Sequence, residues 1–368
     1  MNKFLYYICC PIFIVWLSAC SREYTAEDIA ANYASGVVAI KNTFYYKVQL
    51  AGGHVFWFVP DSDAVTDIRF YTSENDVKPL ARTTCGTGFF LSDEGVVVTA
   101  SQVANPEVNT NDVCRALTNQ LLYLKNYYTA NLDLYKRRLS LVEDAFGTLA
   151  EERVEFLSAI KGNLELRAEV EKEYAARKGK LEGMQADFRH KTDSLAKVLD
   201  ELNHFNNTQV SVYPVQRLSL ACPLPGKGGF SPYRPCTLRA ANNKTGLAIV
   251  QMAGKKTPEN CHVFELDTPS FLNGWTRKKQ PDGPLFIPGL KGNQANPASR
   301  QPFVAETGRT ASKDSGRIVY ASPIGGDNCG SPVLNASGTL VGVNASDNGG
   351  DYGIPIEKLF QMVKITTR

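Results

Sequence analysis

The chain has 368 residues, with 43% hydrophobic and 21% charged side chains and a formal net charge of +3. That length suffices for two or three compact units with a sizeable core. The near-balanced charge argues against a dedicated nucleic-acid binder, which carries a strong basic excess on one face.

Lys3 is followed by an apolar run from Phe4 to Ala19 that ends in Leu17-Ser18-Ala19-Cys20. A short positive region before a short apolar core reads as an export signal, and the run is short for a membrane span. The last four residues resemble the bacterial lipobox, which implies a signal peptide over 1–19, lipid attachment at Cys20 and a stable hold on a membrane through several acyl chains. Ser21 after Cys20 resembles outer-membrane sorting. Residues 20–34 are polar and form a tether. Six further cysteines remain: Cys85, Cys114, Cys222, Cys236, Cys261 and Cys329. Export makes disulfides plausible, and six cysteines allow 15 pairings. Cys222 with Cys236, across a Pro/Gly-rich loop, is the first expectation. The spacing holds no zinc pattern, and no cofactor or metal is expected.

Strand signals, rich in β-branched and aromatic residues, run over 36–40, 45–50 and 54–59. Residues 88–91 and 96–99 flank Ser92-Asp93-Glu94-Gly95 and predict a hairpin. From 115 to 206 the character changes: no proline, dense charge, apolar residues at alternating three- and four-residue spacing. One row holds Leu139, Phe146, Ile160, Tyr174, Leu181, Phe188, Leu195 and Leu202, interrupted by Arg153 and Arg167; the other holds Val142, Leu149, Phe156, Val170, Met184, Val198 and Phe205. This is coiled-coil patterning. The flanking β segments must stay together, so the chain has to return. The best turn signal, Lys161-Gly162-Asn163, predicts a helical hairpin with arms of about 65 Å. A compact three-helix insert with breaks near Gly147 and Gly179 is the alternative. Strand signals resume at 209–213, 217–221, 247–252, 263–266, 317–321, 332–334 and 340–343, whereas the Gly-, Pro- and Asn-rich stretch 273–316 reads as long surface loops. The chain is one β domain, 35–114 and 207–368, split by a helical insert at 115–206.

Three segments carry a family resemblance. Cys85-Gly86-Thr87-Gly88-Phe89-Phe90-Leu91, continuing to Thr99-Ala100-Ser101-Gln102-Val103, resembles the strand–turn–strand of HtrA-type trypsin-like proteases that runs into the catalytic histidine. Gly246-Leu247-Ala248-Ile249-Val250 resembles the strand start that bears the catalytic aspartate. Gly326-Asp327-Asn328-Cys329-Gly330-Ser331-Pro332 resembles the nucleophile loop, and Tyr352-Gly353-Ile354-Pro355-Ile356 the closing strand. The resemblance implies a mainly β, trypsin-like double β-barrel, into which the long α-helical coiled-coil hairpin read from the apolar spacing is inserted.

Carried over by position, histidine becomes Gln102, aspartate Gly246 and serine Cys329. A triad needs a base that takes the nucleophile's proton and returns it to the leaving group. A glutamine amide does neither, and Gly246 has no side chain to orient a base. Asp327 stands two before the nucleophile, where the family has the glycine whose N–H forms half of the oxyanion hole; a carboxylate beside a developing oxyanion is unfavourable. Asn328-Cys329-Gly330 also resembles the nucleophile motif of picornavirus-type cysteine proteases, which need a histidine. Only His54, His190, His204 and His262 exist, and His262 is the candidate for an unusual base. Cys329 is then a reactive thiol, a disulfide partner of Cys261, or a buried inert thiol. The expected function is a catalytically inactive, lipid-anchored envelope protein that binds peptide or protein partners, with self-association through the hairpin; the alternative is an active cysteine endopeptidase using Cys329.

Overall fold

The computed structural model describes residues 23–51, 53–60, 68–205, 210–224, 226, 228–266, 283–292, 296–310, 316–324, 328–347 and 349–366. The export signal, Cys20, Ser21 and Asp327 lie outside the described residues. The chain forms two compact units, one of Met1–Tyr45, Leu80–Glu107 and Pro214–Arg368, the other of Tyr46–Pro79 and Val108–Tyr213.

The first unit holds two barrels. Helix α1 (Ala26–Tyr33) opens it, started by a reciprocal cap between Thr25 and Asp28. Strand β1 (Val37–Leu50) follows, and its first residues Val37 to Ile40 are all buried. It pairs with β3 (Arg82–Phe90), which turns through Gly95, at φ +71°, into β4 (Val96–Ala100). With β5 (Val210–Ala221), β6 (Arg234–Asn242) and β7 (Leu247–Met252) the strand order is β1-β3-β4-β7-β6-β5, and a β5–β1 pairing closes the ring. Every residue of β7 is buried.

The second barrel is built from β8 (Leu285–Lys291), β9 (Gln301–Thr307), β10 (Arg309–Thr310), β11 (Ile318–Tyr320), β12 (Pro332–Asn335), β13 (Leu340–Asp347) and β14 (Gly350–Pro355), in the order β10-β11-β14-β13-β12-β8-β9. Its edge strands, β9 and β10, are one chain run interrupted only by Gly308, so the sheet curls into a half-barrel. Counted as β9/β10 together, the winding is the same as in the first barrel. This is the mainly β double barrel that the resemblance implies.

Residues 273–316 are therefore not only surface loops. Pro288, Gly289 and Pro302 disguise two strands, six of whose first seven residues (Leu285 to Leu290) are buried. Pro and Gly weaken a strand pattern in sequence, yet here Gly289 admits the Asn328 side chain, which an added Cβ would strike. Residues 263–266 form no ladder; Phe264 N–H bonds the Phe90 carbonyl instead (2.9 Å).

The second unit contains Tyr46 to Gln49 paired with β2 (Val55–Phe58), the single turn α2 (Glu74–Val77), and a helical hairpin. After α3 (Ser101–Ala104), in the first unit, the hairpin helices are α4 (Thr110–Ala159) and α5 (Leu164–His204), 50 and 41 residues. At 1.5 Å per residue the arms measure about 75 and 62 Å. They reverse at Gly162, at φ +85°, and run unbroken through Gly147 and Gly179, so the three-helix alternative does not form. Asn109 and Asn163 cap them. Val142 and Leu149 are buried in the seam, and Arg153, which interrupts the apolar row, forks onto Glu171 (2.6 and 2.9 Å) and stacks on Tyr174. The chain ends in α6 (Ile356–Thr366), whose Leu359 and Met362 are buried.

Candidate functional site

Strand β4 delivers Gln102. The β4–β7 register pairs Ala100 with Leu247, so Gly246 arrives beside the start of α3. Ser101 N–H donates to the Gly246 carbonyl (2.8 Å), and Gly246 N–H donates to the Asn242 carbonyl (2.9 Å). A backbone oxygen thus meets the amide at the position the resemblance gives to a carboxylate. Gly246 sits at φ +79°, and an added Cβ would stand 2.9 Å from Ile354 Cδ1.

Residues 328–331 are clamped from both barrels. The Cys329 carbonyl accepts from Thr87 N–H (2.8 Å) and Thr87 Oγ1 (3.0 Å); Gly330 N–H donates to the Asn344 carbonyl and Asn344 N–H to the Ser331 carbonyl, both 2.7 Å. Asn328 Oδ1 accepts from Leu290 N–H (3.0 Å), and Asn344 Nδ2 donates to the Asn328 carbonyl (3.0 Å). Gly330 lies at φ +96° with the Thr87 carbonyl where a Cβ would go. Behind this loop Arg300 is 0% exposed. Its Nη1 donates weakly to the Gly86 carbonyl (3.4 Å), and its Nε and Nη2 have no hydrogen-bond partner among the described residues.

The structure brings Gln102 and Cys329 together. Gln102 Nε2 donates to Cys329 Sγ at 2.7 Å, and the Ser346 backbone N–H donates to the same sulfur. The thiol is 3% exposed. Burial pushes its pKa up to about 12, the two donors oppose that, and the Asp351 carboxylate adds to it. An acid that weak is a protonated thiol at neutral pH.

The four histidines are elsewhere. His262, the candidate base, stands edge-on between Tyr33 and Phe264, with ring centroids 4.9 and 4.8 Å away. Burial holds its pKa below the ordinary imidazole value. His54 packs on Phe205, and His190 and His204 lie on α5. None of the four imidazoles is therefore the side-chain partner of Cys329, a place that Gln102 takes.

The cysteines also differ from expectation. All six are thiols. Neither a Cys222–Cys236 nor a Cys261–Cys329 disulfide is formed; Cys222 has its pKa raised and Cys261 its pKa lowered through their mutual interaction. Loop proximity favoured Cys222 with Cys236, but Cys236 lies within β6, opposite Met252, where burial raises its pKa to about 12. Among the described residues no group of three or more His, Cys, Asp or Glu is placed to hold a metal ion. Sequence reasoning missed Ser346, Asp351, Asn344 and Arg300. Asn344 and Ser346 lie within β13 and Asp351 near the start of β14, without a motif of their own, and Arg300 sits in the stretch read as loop.

No protein-family model matches the chain, and no curated protein matches it. Among solved structures, that of Deg5 aligns with a TM-score of 0.38 and 11% identity, over 91% of this chain and 90% of that one. A serine endoprotease from Yersinia pestis aligns with a TM-score of 0.39 and 12% identity, over 93% of this chain and 66% of that one.

Proposed function

We propose that the chain is a non-catalytic, protease-like binding protein, held on a bacterial membrane, the outer membrane, by lipid on Cys20. The observation that carries this reading is the state of Cys329: a buried thiol, held protonated, whose side-chain partner is the amide of Gln102 rather than an imidazole. A cleft without chemistry still takes an extended peptide by strand addition. The helical hairpin supplies a second surface: Tyr123, Tyr127, Leu134 and Leu141 on α4 are exposed at coiled-coil spacing, which supports self-association with a second copy.

The test uses the mature chain and fluorescently labelled unfolded casein. Binding measured by anisotropy without any new fragments, unchanged by Cys329→Ala, is the expected result. Fragments that disappear in Cys329→Ala would establish the cysteine-endopeptidase alternative. Light scattering of Leu134→Glu/Leu141→Glu tests the hairpin: the expected result is a fall from dimer to monomer, and a monomeric parent chain would remove self-association from the reading.

A further inference from the structure

We propose that the hairpin pairs with a second copy antiparallel, α4 against α4, in the register that lays Arg137 over the partner's Tyr127. The inference rests on the self-association read above and fixes its orientation. The exposed apolar surface of the hairpin is one-sided. On α4, Tyr123, Tyr127, Leu134 and Leu141 are 69, 54, 44 and 67% exposed, and exposed Ala130 and Arg137 complete the same stripe. The stripe steps by alternating four and three residues, and it lies roughly 120° around the helix from the buried row Leu121, Val142 and Leu149. Helix α5 exposes Leu164 and Leu166, both in its opening turn, and Met184, which make no such row. A second copy therefore meets α4 with its own α4.

Charge and size choose the orientation. Tyr127, Leu134 and Leu141 form one row of the stripe, and Tyr123, Ala130 and Arg137 the other. Parallel helices set each residue beside its own copy, which puts two Arg137 guanidinium groups together in the seam and leaves Ala130 facing Ala130. Antiparallel helices set one row against the other. Where Leu134 meets the partner's Ala130, Leu141 meets the partner's Tyr123 and Arg137 the partner's Tyr127, and each contact is made twice about the axis. Large then faces small, and each guanidinium lies on a ring face. The seam inside the hairpin already treats an interrupting arginine this way, with Arg153 over the Tyr174 ring at 4.8 Å. Slipping the register by one heptad in one direction sets Arg137 on the partner's Leu134. In the other direction it stands beside the partner's Gln120, off any ring.

The test is double electron–electron resonance on the mature chain with a nitroxide carried by an unnatural amino acid at Asn119, which is exposed and off the stripe. In the proposed register this position faces the partner's Ala145, so two labels stand about 39 Å apart along the axis, at 1.5 Å per residue. One-heptad slips give about 29 or 50 Å, and a parallel pair less than about 20 Å. Any of these distances refutes the register and leaves self-association standing. Absence of dipolar modulation means a monomer, and removes self-association and the register together. Charge substitution is the independent arm, read by sedimentation. Arg137→Glu is expected to weaken the dimer about tenfold or more. Adding Tyr127→Lys should bring the Kd back toward the wild-type value, because opposite charges then meet across the axis. An unchanged Kd in the first variant, or no recovery in the second, refutes the pairing. Both side chains are exposed, so circular dichroism should show the helices intact in each variant.

Discussion

Alkylation of Cys329 turns its environment into a rate. Iodoacetamide reacts with the thiolate, and an unperturbed cysteine with a pKa near 8.5 is about 3% ionised at pH 7. A thiol pushed up to about 12 is ionised about 3,000-fold less at that pH. The assay follows the Cys329 peptide by mass spectrometry, in the native chain and in the chain unfolded in urea, at pH 7. The native rate should lie at least three orders of magnitude below the unfolded one, because burial slows access as well. A native rate within tenfold of the unfolded rate would refute the protonated-thiol reading and with it the case for an inactive site. Gln102→His supplies the complementary perturbation. The Gln102 nitrogen lies 2.7 Å from Sγ, so an imidazole there takes the thiol proton as an ion pair and should raise the native rate at least tenfold. Peptide cleavage should not follow, since Gly246 offers that imidazole no carboxylate.

Three further outcomes follow from the same geometry. The Cys329 pKa is raised in the fold, so its contribution to stability is whole below the unfolded thiol value and is lost as pH climbs toward about 12. Urea melts of wild type should therefore fall relative to Cys329→Ser by about 1.4 kcal/mol per pH unit between roughly pH 9 and 11, and parallel curves would contradict it. Gly330→Ala should cost about 2–4 kcal/mol in the same melts, from the φ of +96° and the clash with the Thr87 carbonyl, and a cost below 1 kcal/mol would disprove the clamp. Arg300→Met should stabilise the chain by about 1–3 kcal/mol, because it removes a buried charge whose Nε and Nη2 have no hydrogen-bond partner among the described residues. Destabilisation there would mean that the guanidinium has an anionic partner in solution.

Features governed by local chemistry were legible in the sequence. The β3–β4 turn followed from Gly95 between β-branched runs, and the hairpin reversal from Gly162 inside a proline-free heptad pattern. Two strands were hidden because Pro288 and Gly289 break the strand pattern, and Gly289 obeys a demand from elsewhere in the molecule: room for Asn328, whose side chain accepts from Leu290 N–H. Gln102 and Cys329 were placed at one site through motif resemblance alone, since no spacing rule joins residues so far apart in sequence. The same distance hid the Ser346 N–H, which any residue there except proline could supply. Cys222 shows the limit most sharply. Its nearest cysteine along the chain is Cys236, but the cysteine it interacts with is Cys261.

Gly246 bears on how reversible the site's chemistry is. A carbonyl oxygen already satisfies the Ser101 amide, so an aspartate arriving at 246 would compete for a donor already in use. It would also have to hold a left-handed backbone and displace Ile354. That first step toward a catalytic triad costs stability and returns no activity while Gln102 remains, and Gln102→His gains no orienting carboxylate while Gly246 remains. Each change depends on the other having come first, so single-substitution searches for protease activity should find this fold at a dead end. Only libraries that vary 102, 246 and 354 together open a route.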